Sequence, residues 1–416
     1  MVPMKYKVSL LVAAIGLASG SLYAAENDTY SKAYELKREE PKEKEKETGF
    51  VPSVEVKEAY TDNVYRSRKN EQHSWITMVK PGGELRMKKG AQKFTLGGST
   101  EGGWYSIDSR NDYVDWTGYG RAQLELDARN RFDLNGKVSH GHDPIGTGGS
   151  EGAQVTQDEP DEYTQQDADV KYIFGADKAR GRFILRDIYM NKEYTNNRES
   201  TDRLDRTENE VRATGYLRVM PKTTLLLEGR EKSINYLKEY EPGNPEDSNE
   251  SKQFVGVEWD ATAKTSGSFR IGQMEKDFDE KHGRNIEPDD YETPLWESSV
   301  TWKPQSYNSF TLDYNRTPAE VFSGTGFIDR IDTKLSWKYE WSSALKSRVF
   351  VRHYSDDYRG QERLDHTNAL GIGAMYQVNR WLDLKADYIY EDKNSNRNQF
   401  DYNANMFVVG AKVAFD

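Results

Sequence analysis

Residues 334–341 have the sequence Lys-Leu-Ser-Trp-Lys-Tyr-Glu-Trp, in which polar residues alternate strictly with apolar or aromatic ones. A period of two residues is the spacing of a β-strand, because successive side chains point to opposite faces. The same alternation returns in 382–391 and 407–415. Stretches of about 10 to 16 residues with this texture follow one another from Phe50 to the end of the chain. The sequence therefore predicts an all-β fold.

Three features favour a membrane barrel over a soluble β-sandwich. The strands are long, and Trp and Tyr recur near their ends, for example at Trp104, Trp302 and Trp381, as in the aromatic girdles of membrane interfaces. Short links also alternate with longer polar links, which is typical of periplasmic turns and outward loops. Counting between links predicts a transmembrane antiparallel up-and-down β-barrel of about 18 strands, or 16 if one hairpin is miscounted, with both termini in the periplasm. The last strand must then pair with the first, because each unpaired backbone group in lipid costs several kcal/mol.

The composition agrees with a barrel. The chain has 416 residues, of which 31% are charged and 12% aromatic, and its mean hydropathy is −0.92. These values are too polar for a bundle of membrane helices and too aromatic for a disordered chain, whereas a barrel turns half of each strand toward water. The absence of cysteine excludes a disulfide framework and a lipid anchor on cysteine. The formal net charge of −11 argues against a nucleic-acid partner.

The N-terminal residues predict export from the cytoplasm. Lys5 and Lys7 precede an apolar stretch, 10–17, and small residues lead toward Ala25, so we expect 1–25 to be a signal peptide. Residues 26–48 are dominated by Lys and Glu and predict a disordered periplasmic arm, with a short charged helix that docks on a partner as the alternative. The barrel is expected over 49–416, in the bacterial outer membrane, where lipid and lipopolysaccharide would surround it.

Three segments near the start of the barrel carry a family resemblance. They are 52–56 (Pro-Ser-Val-Glu-Val), 58–65 (Glu-Ala-Tyr-Thr-Asp-Asn-Val-Tyr) and 75–85, a strand that contains Lys-Pro-Gly-Gly-Glu. This pattern resembles the putative beta-barrel porin 2 family, large outer-membrane barrels often linked to exopolysaccharide export. The resemblance covers the chain from about Phe50 onward. It implies a pore through which a secreted or capsular polysaccharide crosses the outer membrane, working with a periplasmic polysaccharide export protein.

Charged side chains opposite the aromatic rows are predicted to face the lumen and to line the path of a solute. A carbohydrate needs hydrogen-bond partners along its whole passage, and arginine side chains can also guide acidic sugars. The alternative is that these charges pair with one another across strands and merely line water. The predicted residues are Arg121, Glu125, Arg182, Arg186, Glu228, Arg230, Lys232, Lys334, Lys338, Arg348, Arg352, Asp383 and Lys385.

The sequence gives little support to catalysis. Its six histidines show no spacing typical of a serine hydrolase, and the segment His140-Gly141-His142-Asp143 is better explained as incidental than as a metal site. The acidic segments 157–167 and 242–250 are expected to be solvated loops. No catalytic residue, metal or cofactor is predicted. Polysaccharide export is the leading hypothesis, a general or oligosaccharide-uptake diffusion porin is the alternative, and an outer-membrane enzyme or adhesin is a third class.

Overall fold

The structure is a computed structural model that describes residues 48–152, 159–176, 179–238, 246–260, 264–278, 290–322 and 326–415. The predicted signal peptide, all of the predicted periplasmic arm except Thr48, and the C-terminal Asp416 lie outside the described residues. Those interpretations stay predictions.

The described chain forms one antiparallel sheet of 18 strands. The strands are β1 (Gly49–Thr61), β2 (Ser74–Lys89), β3 (Gln92–Tyr105), β4 (Tyr113–Glu125), β5 (Asn130–Asp143), β6 (Asp161–Phe174), β7 (Gly181–Tyr194), β8 (Arg206–Met220), β9 (Thr223–Tyr236), β10 (Ser248–Trp259), β11 (Thr265–Phe278), β12 (Tyr291–Gln305), β13 (Asn308–Glu320), β14 (Phe327–Glu340), β15 (Leu345–Arg359), β16 (Arg363–Asn379), β17 (Leu382–Ser395) and β18 (Tyr402–Ala414). Short helical turns lie at Ser109–Asn111, Gly148–Ser150, Arg198–Thr201, Asp202–Leu204 and Asn398–Phe400.

The sheet closes on itself. Each strand pairs with its neighbours in chain order, and β1 also pairs with β18, where Ala59 lies opposite Val408. Closure gives the backbone groups of both terminal strands hydrogen-bond partners, which a membrane-spanning sheet requires. The predicted up-and-down barrel and its 18 strands are confirmed. Among the described residues, none of the helices combines the length and the apolar character that a membrane crossing needs.

The connections differ at the two ends of the barrel. At the end where β1 begins and β18 ends the links are tight, such as Gly90–Ala91 between β2 and β3 or Pro221–Lys222 between β8 and β9. At the other end they are longer, as in 62–73 between β1 and β2 or 144–160 between β5 and β6. The first end is therefore periplasmic and the second extracellular. We call the second end the outer mouth.

The outward face carries an apolar belt. On β9, Leu227 is 66% exposed to the surroundings of the barrel, whereas the next residue, Glu228, is 5% exposed and faces inward. The belt continues sideways, because Leu227 pairs with Val255 on β10 and Val255 pairs with Ile271 on β11. These residues pack against lipid rather than into a protein core, so the strands gain their apolar stabilisation from the membrane.

Two further features bound this belt. Near the periplasmic turns, outward rings stack from strand to strand: the centroids of Trp302 and Phe310 lie 5.4 Å apart, and those of Phe310 and Trp337 lie 6.1 Å apart. Toward the outer mouth, the outward residues become polar, and the Ser251 hydroxyl donates to Glu231 at 2.8 Å. The barrel wall therefore extends beyond the hydrocarbon layer into an aqueous zone.

Candidate functional site: the lumen and its outer mouth

The side chains predicted to line the lumen lie on the inward face of their strands, at different depths. Glu228, Arg230 and Lys232 are buried between mid-strand and the outer mouth, and Arg121 and Glu125 are exposed near the periplasmic turns. The others lie between these extremes or near the periplasmic end: Arg182, Arg186, Lys334, Lys338, Arg348, Arg352 and Lys385 are partly buried, and Asp383 is buried. That solutes contact these residues stays a prediction.

Many of the inward charges are joined in ion pairs. Arg230 binds Glu228 at 2.6 Å and also reaches Glu297, three strands away on β12, at 2.7 Å. Lys232 binds Glu208 at 2.6 Å. Charges of opposite sign hold one another in place where burial would otherwise penalise each of them.

The same pairing continues around the barrel. Arg186 donates two hydrogen bonds to Asp169, at 2.8 and 2.7 Å, and Arg352 does the same with Asp332, at 2.8 and 2.9 Å. Such two-point contacts fix the guanidinium group more firmly than a single bond does. The sequence could supply these residues but not their partners, because each pair joins different strands.

Near the outer mouth lies a buried cluster that the sequence analysis missed. Lys276 is fully buried, and its Nζ lies 3.0 Å from both Glu250 and Glu320. An apolar group packs beside it, formed by Phe254, Met274, Leu295 and Phe327. Lys276 lies between Glu275 and Asp277, which point outward, so both faces of the strand carry charged residues here. The alternation of apolar and polar residues that reveals a strand in the sequence is therefore absent.

Two segments predicted to be loops lie partly in strands. Glu250, expected in a solvated loop over 242–250, lies in β10 with 1% exposure, and Asp161–Asp167 belong to β6 rather than to a loop over 157–167. The physical reason is the same in both places. The strands continue past the apolar belt, where outward residues are polar, so a strand has the composition of a loop.

Residues 144–152, which we call the inward loop, leave β5 and cross the outer mouth. Their contacts lie on distant strands, since β18 and β1–β4 separate β17 from β5 in the strand order. Gly146 has φ +88°, and a Cβ there would lie 2.1 Å from the Tyr65 carbonyl oxygen. At Gly152, φ is +70° and a Cβ would lie 2.6 Å from the ring of Phe400. Only glycine fits this backbone path without strain.

The end of the inward loop is held by an ion-pair cluster. The Glu151 carboxylate lies 2.8 Å from Nη2 of Arg363 on β16 and also accepts a hydrogen bond from Nζ of Lys393 on β17. Asp365, which is fully buried, binds both cations, at 2.5 Å to Arg363 and 2.8 Å to Lys393. Burial alone would raise the pKa of Glu151, but Lys393 and Arg363 outweigh it and lower the pKa below its ordinary value.

The two histidines of 140–143 do not converge on one site. His140 stacks on Trp116 with ring centroids 6.3 Å apart, on the outward side, whereas Nδ1 of His142 lies 2.9 Å from Asp115. Within the part of the chain that the structure describes, no group of three or more metal-ligating side chains comes together.

Solved structures of similar shape are outer-membrane barrels with little sequence identity. One variant of the FrpB iron transporter from Neisseria meningitidis is 10% identical, with a TM-score of 0.50 over 85% of this chain and 64% of that one. The outer membrane protein OpdK from Pseudomonas aeruginosa is 9% identical, with a TM-score of 0.49 over 88% and 99%. OccAB3 from Acinetobacter baumannii is 11% identical, with a TM-score of 0.47 over 88% and 99%.

These likenesses concern the fold, and this chain spans less than two thirds of the length of FrpB. No curated protein matches the sequence. The model of the family described as "Putative beta-barrel porin 2" matches residues 49–415, the same residues that form the barrel. The chain therefore belongs to the putative beta-barrel porin 2 family and is a β-barrel of the bacterial outer membrane.

Proposed function

We propose that this barrel is a diffusion channel for small polar solutes and performs no catalysis. The observation that carries the proposal is the inward loop, which crosses the outer mouth of an otherwise polar lumen. Inward Arg121 and Glu125 are exposed near the periplasmic turns, so these charged side chains contact water at that end. At the other end, Glu151 holds the loop against Arg363 and Lys393. A polar lumen whose mouth is crossed by a loop selects solutes by size and charge.

The leading hypothesis from the sequence, polysaccharide export with a periplasmic export protein, has no support from the contacts of the described residues. A polymer in transit would fill the outer mouth until its whole chain had passed, so the inward loop would have to leave the lumen completely. The passage of a small solute requires only that part of the inward loop move aside. The geometry therefore favours the alternative, a diffusion porin, and export rests on the family resemblance alone.

The lipid surroundings of the channel are part of the proposal. The polar outward residues above the apolar belt, such as Glu231 and Ser251, lie at the level where lipopolysaccharide would meet the barrel wall. Lipopolysaccharide is therefore a proposed neighbour of this wall.

A liposome-swelling assay tests the proposed function. Vesicles that hold the purified barrel are diluted into iso-osmotic solutions of arabinose, sucrose, raffinose or dextran. We expect swelling rates that fall with solute size, and no swelling in dextran. Rates equal to those of protein-free vesicles for every sugar, in both wild type and Glu151→Gln, would refute a diffusion channel. Loss of surface polysaccharide in a deletion strain that still synthesises it would favour export instead.

A further inference from the structure

We propose that Arg363 and Lys393 form a carboxylate-binding site in the outer mouth, which Glu151 fills as an internal ligand until a carboxylate solute displaces it. This inference rests on the proposed diffusion function and deepens it, because it names organic carboxylates as a preferred solute class. The site is built from β16 and β17, whereas its present ligand comes from the connection between β5 and β6.

The two cations hold one carboxylate between them. Arg363 is 3% exposed, and Glu151 lies 2.8 Å from its Nη2 while also contacting Nζ of Lys393. One carboxylate thus bridges a guanidinium group and an ammonium group. Arg363 pairs with Tyr358 of β15 and Lys393 pairs with Thr367 of β16, so the backbone of both cations belongs to the barrel wall and not to the loop. A solute carboxylate has the same charge and the same oxygen spacing as the side chain of Glu151.

The charge balance of the cluster requires an anion at this position. Asp365 is shared between Arg363 and Lys393, and it neutralises only one of the two positive charges. When Glu151 leaves, one buried positive charge lacks its counter-charge, which is strongly unfavourable in a protein interior. A solute carboxylate restores the balance, whereas a neutral solute of the same shape does not. The site therefore discriminates by charge.

Aromatic rings orient the arginine. The Arg363 guanidinium carbon lies 3.4 Å from the ring centroid of Phe400 and 4.1 Å from that of Tyr358. Cation–π contacts of this kind keep the planar group from rotating. Phe400 also lies beside Gly152 of the inward loop, so the same ring touches both the loop and the site.

Displacement of Glu151 couples binding to opening. The contact of Glu151 with Arg363 and Lys393 ties the end of the inward loop to β16 and β17. A carboxylate that takes this position frees the loop end, and the mouth widens. Because internal ligand and solute compete for one site, removal of the internal carboxylate must strengthen solute binding.

Calorimetry on the full-length barrel in detergent micelles tests the site, with benzoate as the probe and benzamide as its neutral counterpart. We expect Glu151→Gln to bind benzoate about tenfold more tightly than wild type, since the competing carboxylate is gone. Lys393→Gln combined with Glu151→Gln should bind weakly. Benzamide should bind none of them. Glu159→Gln, an exposed acidic residue in the same connection, is the matched control and should behave as wild type.

Currents through planar bilayers give the second readout. Glu151→Gln should conduct at least about threefold more than wild type, and benzoate should raise the current of wild type but not that of Glu151→Gln. Equal benzoate affinity in wild type, Glu151→Gln and the double variant would overturn the site, as would equal affinity for benzamide. Heat-modifiable migration in gels verifies that each variant is folded. Binding needs no pore, so tight benzoate binding by a barrel that conducts nothing would refute the diffusion function alone.

Discussion

Placing a charge on the outward face of β9 should destabilise the barrel according to its depth in the membrane. Leu227 lies in the apolar belt, with Gly215 and Val255 as its neighbours across the strand pairs. It is 66% exposed, so its side chain contacts lipid. An arginine at this position would point away from the carboxylates of the lumen. An arginine near the midplane of an outer-membrane barrel costs about 2–4 kcal/mol in free energy of unfolding. The equilibrium constant for folding should therefore fall roughly 30- to 700-fold.

The matched control places the same side chain four residues along the same face. Glu231 also points outward, but it lies above the belt, where Ser251 donates a hydrogen bond to it. Glu231→Arg should cost less than about 1 kcal/mol, the range for positions near the membrane interface. The assay is equilibrium unfolding in urea of each variant folded into phosphatidylcholine vesicles, followed by tryptophan fluorescence. Equal costs for Leu227→Arg and Glu231→Arg would refute the placement of the belt.

Three further predictions address closure, the outer mouth and the buried cluster. Cysteines placed at Ala59 and Val408, which are paired across the β1–β18 seam, should form an intramolecular disulfide on mild oxidation, detected by gel mobility with and without reductant; failure to cross-link would argue against the closed barrel. Because the pKa of Glu151 is lowered, its ionic contact should persist as the pH falls through the ordinary value of 4.5 and be lost only in more acid solution. The wild-type current should therefore rise toward that of Glu151→Gln only below that pH. A rise between pH 7 and 5 would contradict this prediction. Lys276→Met leaves two buried carboxylates without their shared cation and should lower the free energy of unfolding by about 3–5 kcal/mol in the same urea assay. The control Glu275→Gln, on the outward face, should change it little. Equal costs would contradict the burial of the cluster.

Local periodicity was sufficient to predict the barrel wall. All of the alternating stretch 334–341 except its last residue lies within β14, with Leu335 and Trp337 on the outward face, and the link lengths predicted the number of strands. This works because the membrane imposes a sharp contrast between the two faces of each strand. Where the contrast ends, above the apolar belt, the prediction failed, as at Glu250.

The outer mouth could not be predicted in the same way. The partners of Glu151 are 212 and 242 residues away in the chain, at Arg363 and Lys393. A polar segment with four glycines between two strands has the composition of an ordinary loop, and no local period indicates whether it turns outward or into the lumen. Contacts of such separation depend on closure of the whole barrel, because β18 and β1–β4 lie between β17 and β5 in the closed sheet.

Solutes are expected to pass along the inward face of the strands, and cysteine modification tests this path directly. Gln123 of β4 faces inward and is exposed, and Ala122 beside it faces the membrane. The chain has no native cysteine, so a single cysteine at either position can be modified with a sulfonate-bearing methanethiosulfonate while the current is recorded. In the Glu151→Gln background we expect modification to change the current for Gln123→Cys and to leave it unchanged for Ala122→Cys. The same response at both positions, or a response at Ala122→Cys alone, would contradict the account.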